Sequence, residues 1–248
     1  MILFQMSNDD GPNATRPAVA FETSADFGAV AVGRGPQILE ARRLSGPRRH
    51  AAEFVPVLAA LCRAHDIAPG RIAHVYLSVG PGSFTGLRIG VATARMISFA
   101  WGARIVAVPT LEAVAQNAAT LDDPPQRVAV ILDAKRGNVY AAEFERRGPD
   151  YVAASEAAEV SPAQFFAARP AGTAVLGEGV PAHREVLGAC GVRVLPDHCH
   201  PADVQTVYRL GYARAIRGEF VEARSLVPLY VRPPEAEEKW LRRTGGGQ

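Results

Sequence analysis

The 248-residue sequence has little lysine, little cysteine and no long apolar run. Its lysines are Lys135 and Lys239, so arginine carries almost all of the positive charge, and the formal net charge of +2 is too small to predict nucleic-acid binding through bulk charge. The 3 cysteines include no C-x-x-C pair, which argues against a disulfide framework and for a reducing compartment. No apolar stretch reaches the roughly 20 residues of a membrane-spanning helix.

The signatures of metal and nucleotide sites are also missing. None of the 6 histidines lies four residues from another. His198, Cys199 and His200 form the one cluster, and on a strand its two histidines would share a face that permits a metal, although a loop location favours a structural role. The chain has no G-x-x-x-x-G-K-[ST] loop and no G-x-G-x-x-G loop. Gly177-Glu178-Gly179 is the nearest second glycine loop and is typical of a simple turn. We therefore predict no catalytic residue, no metal and no cofactor.

The most informative stretch runs from Ser78 to Trp101 and is predicted to be a strand end, a tight loop and a helix. Glycines at this density permit positive φ and a close approach of another backbone or a phosphate. Two interpretations remain open: an anion above the helix N-terminus, or a turn that packs the helix on its strand. The loop residues are Gly80, Pro81, Gly82, Ser83, Thr85 and Gly86.

The helix after this loop carries two apolar stripes, which predicts that both of its sides are covered. One stripe is Ile89, Ala92, Met96 and Phe99. The other stripe is Leu87, Val91, Ala94, Ser98 and Trp101. It is covered either by another helix of this chain, which is the commoner case, or by a partner subunit.

Apolar periodicity along the rest of the chain predicts a mixed α/β protein. A strand meander is followed by a helix from His50, a strand around Val75, the motif helix and a further strand. The remaining strands are predicted at 104–108, 128–133, 140–144, 174–176 and 192–195, and the remaining helices at 110–119, 181–187 and 203–216. No internal sequence repeat is present.

Several segments of the chain resemble the TsaB (YeaZ) family. These are GPGSFTGLRIGVATA from Gly80, VAVPTLEAVA from Val106, DAKRGNVYAAEF from Asp133 and PLYVRPPEAEEK from Pro228. The resemblance implies the two-lobed fold of the actin/Hsp70/sugar-kinase superfamily with a degenerate second lobe. The family usually has Asp-Thr-Ser after its first strand, and this chain has Glu22 there. Glu22, Thr23 and Ser24 are therefore weak candidates for cofactor binding.

The resemblance also predicts the division of the chain. A disordered extension is expected over 1–16, a first lobe with the glycine loop over 17–120, and a second lobe over 121–232. The helix at 203–216 is expected to return to the first lobe, and 233–248 to form a tail. Met1 and Met6 are alternative start sites.

The same resemblance implies a non-catalytic cytoplasmic subunit in tRNA threonylcarbamoyladenosine synthesis. It would dock on the transferase TsaD through paired helices, with TsaE as a further partner and tRNA contacted indirectly. The interface predicted in this way is Leu87, Val91, Ala94, Ser98, Trp101, Phe54 and Leu58. A homodimer through the same helices is the alternative assembly. The rival function is an autonomous ATPase of the superfamily or a metal-dependent, glycoprotease-like peptidase.

Overall fold

The structure is a computed structural model that describes residues 16–47 and 49–231. The predicted tail at 233–248, and the predicted extension at 1–16 apart from Arg16, lie outside the described residues. In the described part of the chain, no helix combines the length and the apolar character needed to cross a membrane.

The first lobe is built on a five-stranded sheet in the order β3-β2-β1-β4-β5. The first three strands form the predicted antiparallel meander, and β4 and β5 continue the sheet in parallel with β1. Helices α1 and α2 fill the connections before and after β4. The elements are β1 (Pro17–Glu22), β2 (Ala29–Arg34), β3 (Gln37–Arg43), α1 (His50–Ala64), β4 (His74–Ser78), α2 (Phe84–Trp101) and β5 (Arg104–Val108).

The second lobe is built on a six-stranded sheet that repeats this topology. Strand β6 pairs antiparallel with β7 and parallel with β10, so the path β8-β7-β6-β10-β11 has the same third-second-first-fourth-fifth order as the first sheet. Two helices of six residues replace the helices of 15 and 18 residues in the first lobe, which confirms the reduced second lobe. The elements are β6 (Arg127–Lys135), β7 (Asn138–Arg147), β8 (Asp150–Ala153), β9 (Ala158–Val160), α4 (Pro162–Ala167), β10 (Ala174–Leu176), α5 (Arg184–Ala189) and β11 (Arg193–Val194).

Alternate side chains of β1 point into two different apolar cores, one on each face of the first sheet. This is expected for a strand that is buried on both faces. Val19 and Phe21 pack with α1 and α2. Ala18 and Ala20 pack on the opposite face, against helix α6 (Val204–Ile216). Small alanines on this face allow α6 to lie close to the sheet.

Helix α3 (Thr110–Ala115) falls in the predicted first lobe, but its side chains pack into the second. Leu111 and Val114 join the apolar core beneath β6 and β7. Helix α6 makes the opposite crossing, since it follows the second lobe and packs on the first sheet. Tyr208 of α6 donates a hydrogen bond to the Gly35 carbonyl at 3.0 Å. These two crossings join the lobes.

Candidate functional site

Three glycines of the motif let helix α2 lie directly on the loop after β1. A Cβ atom added at Gly82 would come within 2.4 Å of the Ser24 carbonyl oxygen, and one at Gly86 within 1.9 Å of the Thr23 carbonyl oxygen. At Gly90 the added atom would meet the Thr23 hydroxyl at 2.6 Å. Gly86 and Gly90, four residues apart, lie on one side of α2, and Gly82 lies in the loop just before the helix. They provide close backbone contact between α2 and the first strand.

The same contact occupies the start of α2. The Ser83 amide donates to the Ser24 carbonyl at 2.6 Å, and the Ser83 hydroxyl accepts from the Gly86 amide at 3.3 Å. The Leu87 amide bonds to the Ser83 carbonyl at 2.9 Å. Groups of this chain therefore satisfy the Ser83 and Gly86 amides, two of the donors that an anion at this position would use. Of the two interpretations of the loop, the geometry favours the packing turn.

Glu22, Thr23 and Ser24 are buried beneath this contact. One carboxylate oxygen of Glu22 accepts hydrogen bonds from the Ser24 amide and hydroxyl, and the other has no partner among the described residues. Burial raises the pKa of Glu22 above its ordinary value, and hydrogen bonds from Ser24 and Ser78 oppose that rise. These residues support the fold of the turn and offer no exposed ligand group.

A cleft of about 440 Å³ opens nearby, between the two lobes. Burial, followed by the charges of Glu22 and Asp26, raises the pKa of Glu178 in the cleft wall to about 7. Arg43 opposes this rise, and Arg42 and Arg43 line the same cleft, so acidic and basic side chains share its wall. The lining residues are Ala25, Phe27, Ala29, Ala41, Arg42, Arg43, Asn117, Thr120, Glu178, His198, Pro201, Ala202, Asp203, Val204 and Gln205.

The stripe that was predicted from the sequence to be the interface faces the core of this chain instead of its exterior. Five of its seven residues are buried in this chain's own core, and the other two are half-buried. The buried stripe shares one core with β1 and β4, because Gly86 and Gly90 bring this side of α2 closest to the sheet. The buried residues are Leu87, Val91, Ala94, Phe54 and Leu58, and the half-buried ones are Ser98 and Trp101.

The second stripe of α2 is exposed at three of its four residues, and the fourth, Ile89, is half-buried against the core. Phe99 exposes 95% of its surface and Met96 exposes 61%, and Val55 of the neighbouring helix α1 exposes 52%. Ala92 on the same stripe is also exposed. Large apolar side chains at this exposure are the signal of an interaction surface when they lie together on adjacent helices. We call this surface, formed by Val55, Phe84, Arg88, Ala92, Met96 and Phe99, the outer face.

The histidine cluster does not form the strand that a shared metal face requires. Residues Asp197–Cys199 form a 3-10 turn, in which His198 is exposed while Cys199 and His200 are buried. The Nδ1 atom of His200 accepts a hydrogen bond from the Gly177 amide at 3.3 Å. His200 therefore links two turns of the second lobe. The part of the chain that the structure describes contains no group of three side chains placed to hold a metal ion.

The sequence and the fold were compared with known proteins. A family model described as TsaD, tRNA N6-adenosine threonylcarbamoyltransferase, matches residues 45–240. TsaB of Bacillus subtilis, named as a tRNA threonylcarbamoyladenosine biosynthesis protein, is 27% identical over 201 residues, which cover 78% of this chain and 84% of that protein. An uncharacterized protein of Mycobacterium tuberculosis is 32% identical over 195 residues, covering 77% and 78% of the two chains.

The solved structure of YeaZ from Pseudomonas aeruginosa superimposes with a TM-score of 0.74 at 22% identity, covering 87% of this chain and 100% of that one. The shared fold, with two lobes of repeated topology, defines a protein of the actin/Hsp70/sugar-kinase class. Within that class, the chain belongs to the TsaB (YeaZ) family.

Proposed function

We propose that this chain is a non-catalytic subunit of tRNA threonylcarbamoyladenosine synthesis that binds a TsaD protein through the outer face. The observation that carries the proposal is the exposure of Phe99 and Met96 on α2 and of Val55 on the adjacent helix α1. Side chains of this size gain about 1.5–3 kcal/mol each when they leave water, before association costs are subtracted. A pair of helices from a partner would bury these side chains, which remain exposed in this chain alone.

The choice of partner rests on the family. The TsaD family model covers most of this chain, so a TsaD partner has a related fold with an equivalent helix pair. Two related subunits that meet through equivalent helices form a pseudo-symmetric pair. In this proposal, TsaE and tRNA act through the complex. A homodimer would use the outer face in competition with TsaD.

The absence of catalysis in the proposal is supported by the start of α2 and by Glu22. The Ser24 carbonyl accepts from the Ser83 amide, and the Ser83 hydroxyl accepts from the Gly86 amide, at the point where a phosphate would bind. The Glu22 carboxylate is buried and accepts hydrogen bonds from Ser24 of this chain. Under this proposal the chain works in the cytoplasm, where its three free thiols are stable.

Binding of the purified full-length chain to TsaD of the same organism, measured by calorimetry, tests the proposal. Phe99→Glu places a carboxylate in the centre of the contact and should weaken binding by roughly 100-fold or more. Ile216→Glu is the matched control, because Ile216 on α6 exposes 59% of its surface, close to the value for Met96. The control should bind like the unmodified chain. Unchanged affinity of Phe99→Glu would overturn the proposal.

A further inference from the structure

The segment that follows α6 is fixed along the edge of the first lobe. We call residues 219–231 the C-terminal strap. Val221 forms an antiparallel bridge with Ile105 of β5. Leu226 is buried in the core between the first sheet and helices α1 and α2, and the Leu229 amide donates to the Val79 carbonyl at 2.7 Å. The strap is therefore a structural part of the lobe that carries the outer face.

Helix α2 holds the strap through Arg95. The guanidinium donates from Nε to the Ala223 carbonyl at 2.7 Å and from Nη2 to the Arg224 carbonyl at 2.6 Å. Two bonds from one planar group fix both the position and the direction of the strap backbone. The strap and α2 therefore present one continuous surface.

The exposed side of the strap continues the outer face at the N-terminal end of α2. The Tyr230 ring lies 5.4 Å from the Phe84 ring, and Arg88 donates to the Tyr230 hydroxyl at 3.3 Å. The Arg88 guanidinium also lies 3.7 Å above the Phe84 ring. Phe84 and Arg88 precede Ala92 at helical spacing, so this cluster is the end of the same exposed ridge. Val227 and Leu229 extend the apolar surface beyond it, exposing 64% and 43% of their surfaces.

We infer that the C-terminal strap is a third part of the docking surface, and that it contacts the same TsaD partner as α1 and α2. The inference rests on the proposed function. The four large apolar side chains of the outer face expose roughly 450 Å², if each has about 150–200 Å² in an extended chain. A stable interface buries about 800 Å² on each partner. The strap adds roughly 250 Å² through Val227, Leu229 and Tyr230, which brings the apolar area closer to that requirement.

The composition of the surface also matches a protein contact. Aromatic residues, methionine and arginine are the types enriched at protein interfaces, and Phe84, Arg88, Met96, Phe99 and Tyr230 are of these types. Arg88 is the arginine of α2 in this surface, since Arg95 is bonded to the strap. The partner surface opposite α2 should therefore be apolar with an acidic group near Arg88. A second copy of this chain would place Arg88 of one α2 against a helix without acidic residues.

The test is calorimetric binding of TsaD to the full chain carrying Val227→Ser with Leu229→Ser, and separately to Tyr230→Ala. Both should bind TsaD at least 10-fold more weakly, while the melting temperature stays close to that of the unmodified chain. Ile216→Ser is the control for an exposed apolar side chain elsewhere and should change neither quantity. If Phe99→Glu abolishes binding while the strap variants bind normally, the strap inference is overturned and the proposed function stands. If Phe99→Glu also binds normally, the proposed function fails first.

Two further measurements keep the inference testable. Should a strap variant unfold, hydrogen exchange of the unmodified chain decides, because residues 225–231 should be protected when TsaD is added. Absence of that protection would overturn the inference.

The exposed aromatic and arginine side chains could instead stack on single-stranded RNA. Loss of tRNA binding by Tyr230→Ala, with TsaD binding unchanged, would assign the surface to RNA and overturn the inference as well.

Discussion

A single methyl group at Gly86 tests how the motif loop works. In most helices Gly→Ala is favourable by up to about 1 kcal/mol. At Gly86 the new Cβ would lie 1.9 Å from the Thr23 carbonyl oxygen, which belongs to the backbone and has little freedom to move. Overpacking of this kind costs about 1–3 kcal/mol or more, so we expect net destabilisation despite the gain in helix propensity. For a chain of this size each kcal/mol lowers the melting temperature by about 2–4 °C.

Thermal unfolding followed by circular dichroism measures this effect. Gly188→Ala is the matched control, because Gly188 also lies in a helix and has no atom within 4 Å of an added Cβ. The control should melt at the same temperature as the unmodified chain or higher. Equal stability of Gly86→Ala and the control would refute the packing role of the glycine. A rise in the melting temperature of the unmodified chain with phosphate would favour the anion interpretation instead.

Three other changes have defined outcomes. Val91→Glu buries a carboxylate in the core and should abolish cooperative unfolding in a thermal melt, whereas Met96→Glu should leave it intact. Tyr208→Phe removes the buried bond to the Gly35 carbonyl and should cost about 1 kcal/mol in urea denaturation. Glu178→Gln should gain stability over the unmodified chain as pH rises from 5 to 8, because the folded pKa of Glu178, about 7, lies above its unfolded value near 4.5. Glu178 lies among many protein atoms in the cleft wall, yet its side chain keeps substantial contact with water. Screening by this water limits the gain to about 1 kcal/mol, and a difference that grows toward low pH would contradict the prediction.

Most helices and strands follow from apolar periodicity, and the meander, the motif helix and the strands predicted at 128–133 and 140–144 are confirmed in the structure. The buried side of α2 was predicted wrongly because both stripes are apolar and periodicity does not rank them. The distinguishing signal is the pair Gly86 and Gly90, since glycines four residues apart on a helix mark the side where it lies closest to its neighbour. The bulky stripe with Met96 and Phe99 was therefore the one to assign to the exterior.

Other features depend on tertiary contacts that a single sequence does not display. The second sheet repeats the topology of the first without a sequence repeat, because strand order depends on pairing and handedness more than on particular residues. The packing of α3 into the second core also depends on where the chain crosses between the lobes. His198 and His200 were considered as strand neighbours, yet Pro196 and Pro201 flank the cluster and favour the observed turn.

Photo-crosslinking from the outer face tests the central claim most directly. A benzoylphenylalanine placed at Phe99 should form a covalent adduct with TsaD of the same organism, identified by mass spectrometry at residues of the TsaD helix pair. The same group placed at Ile216, which is exposed on α6, should give no adduct. TsaD that binds the chain but crosslinks from Ile216, and not from Phe99, would contradict the assignment of the outer face as the docking surface.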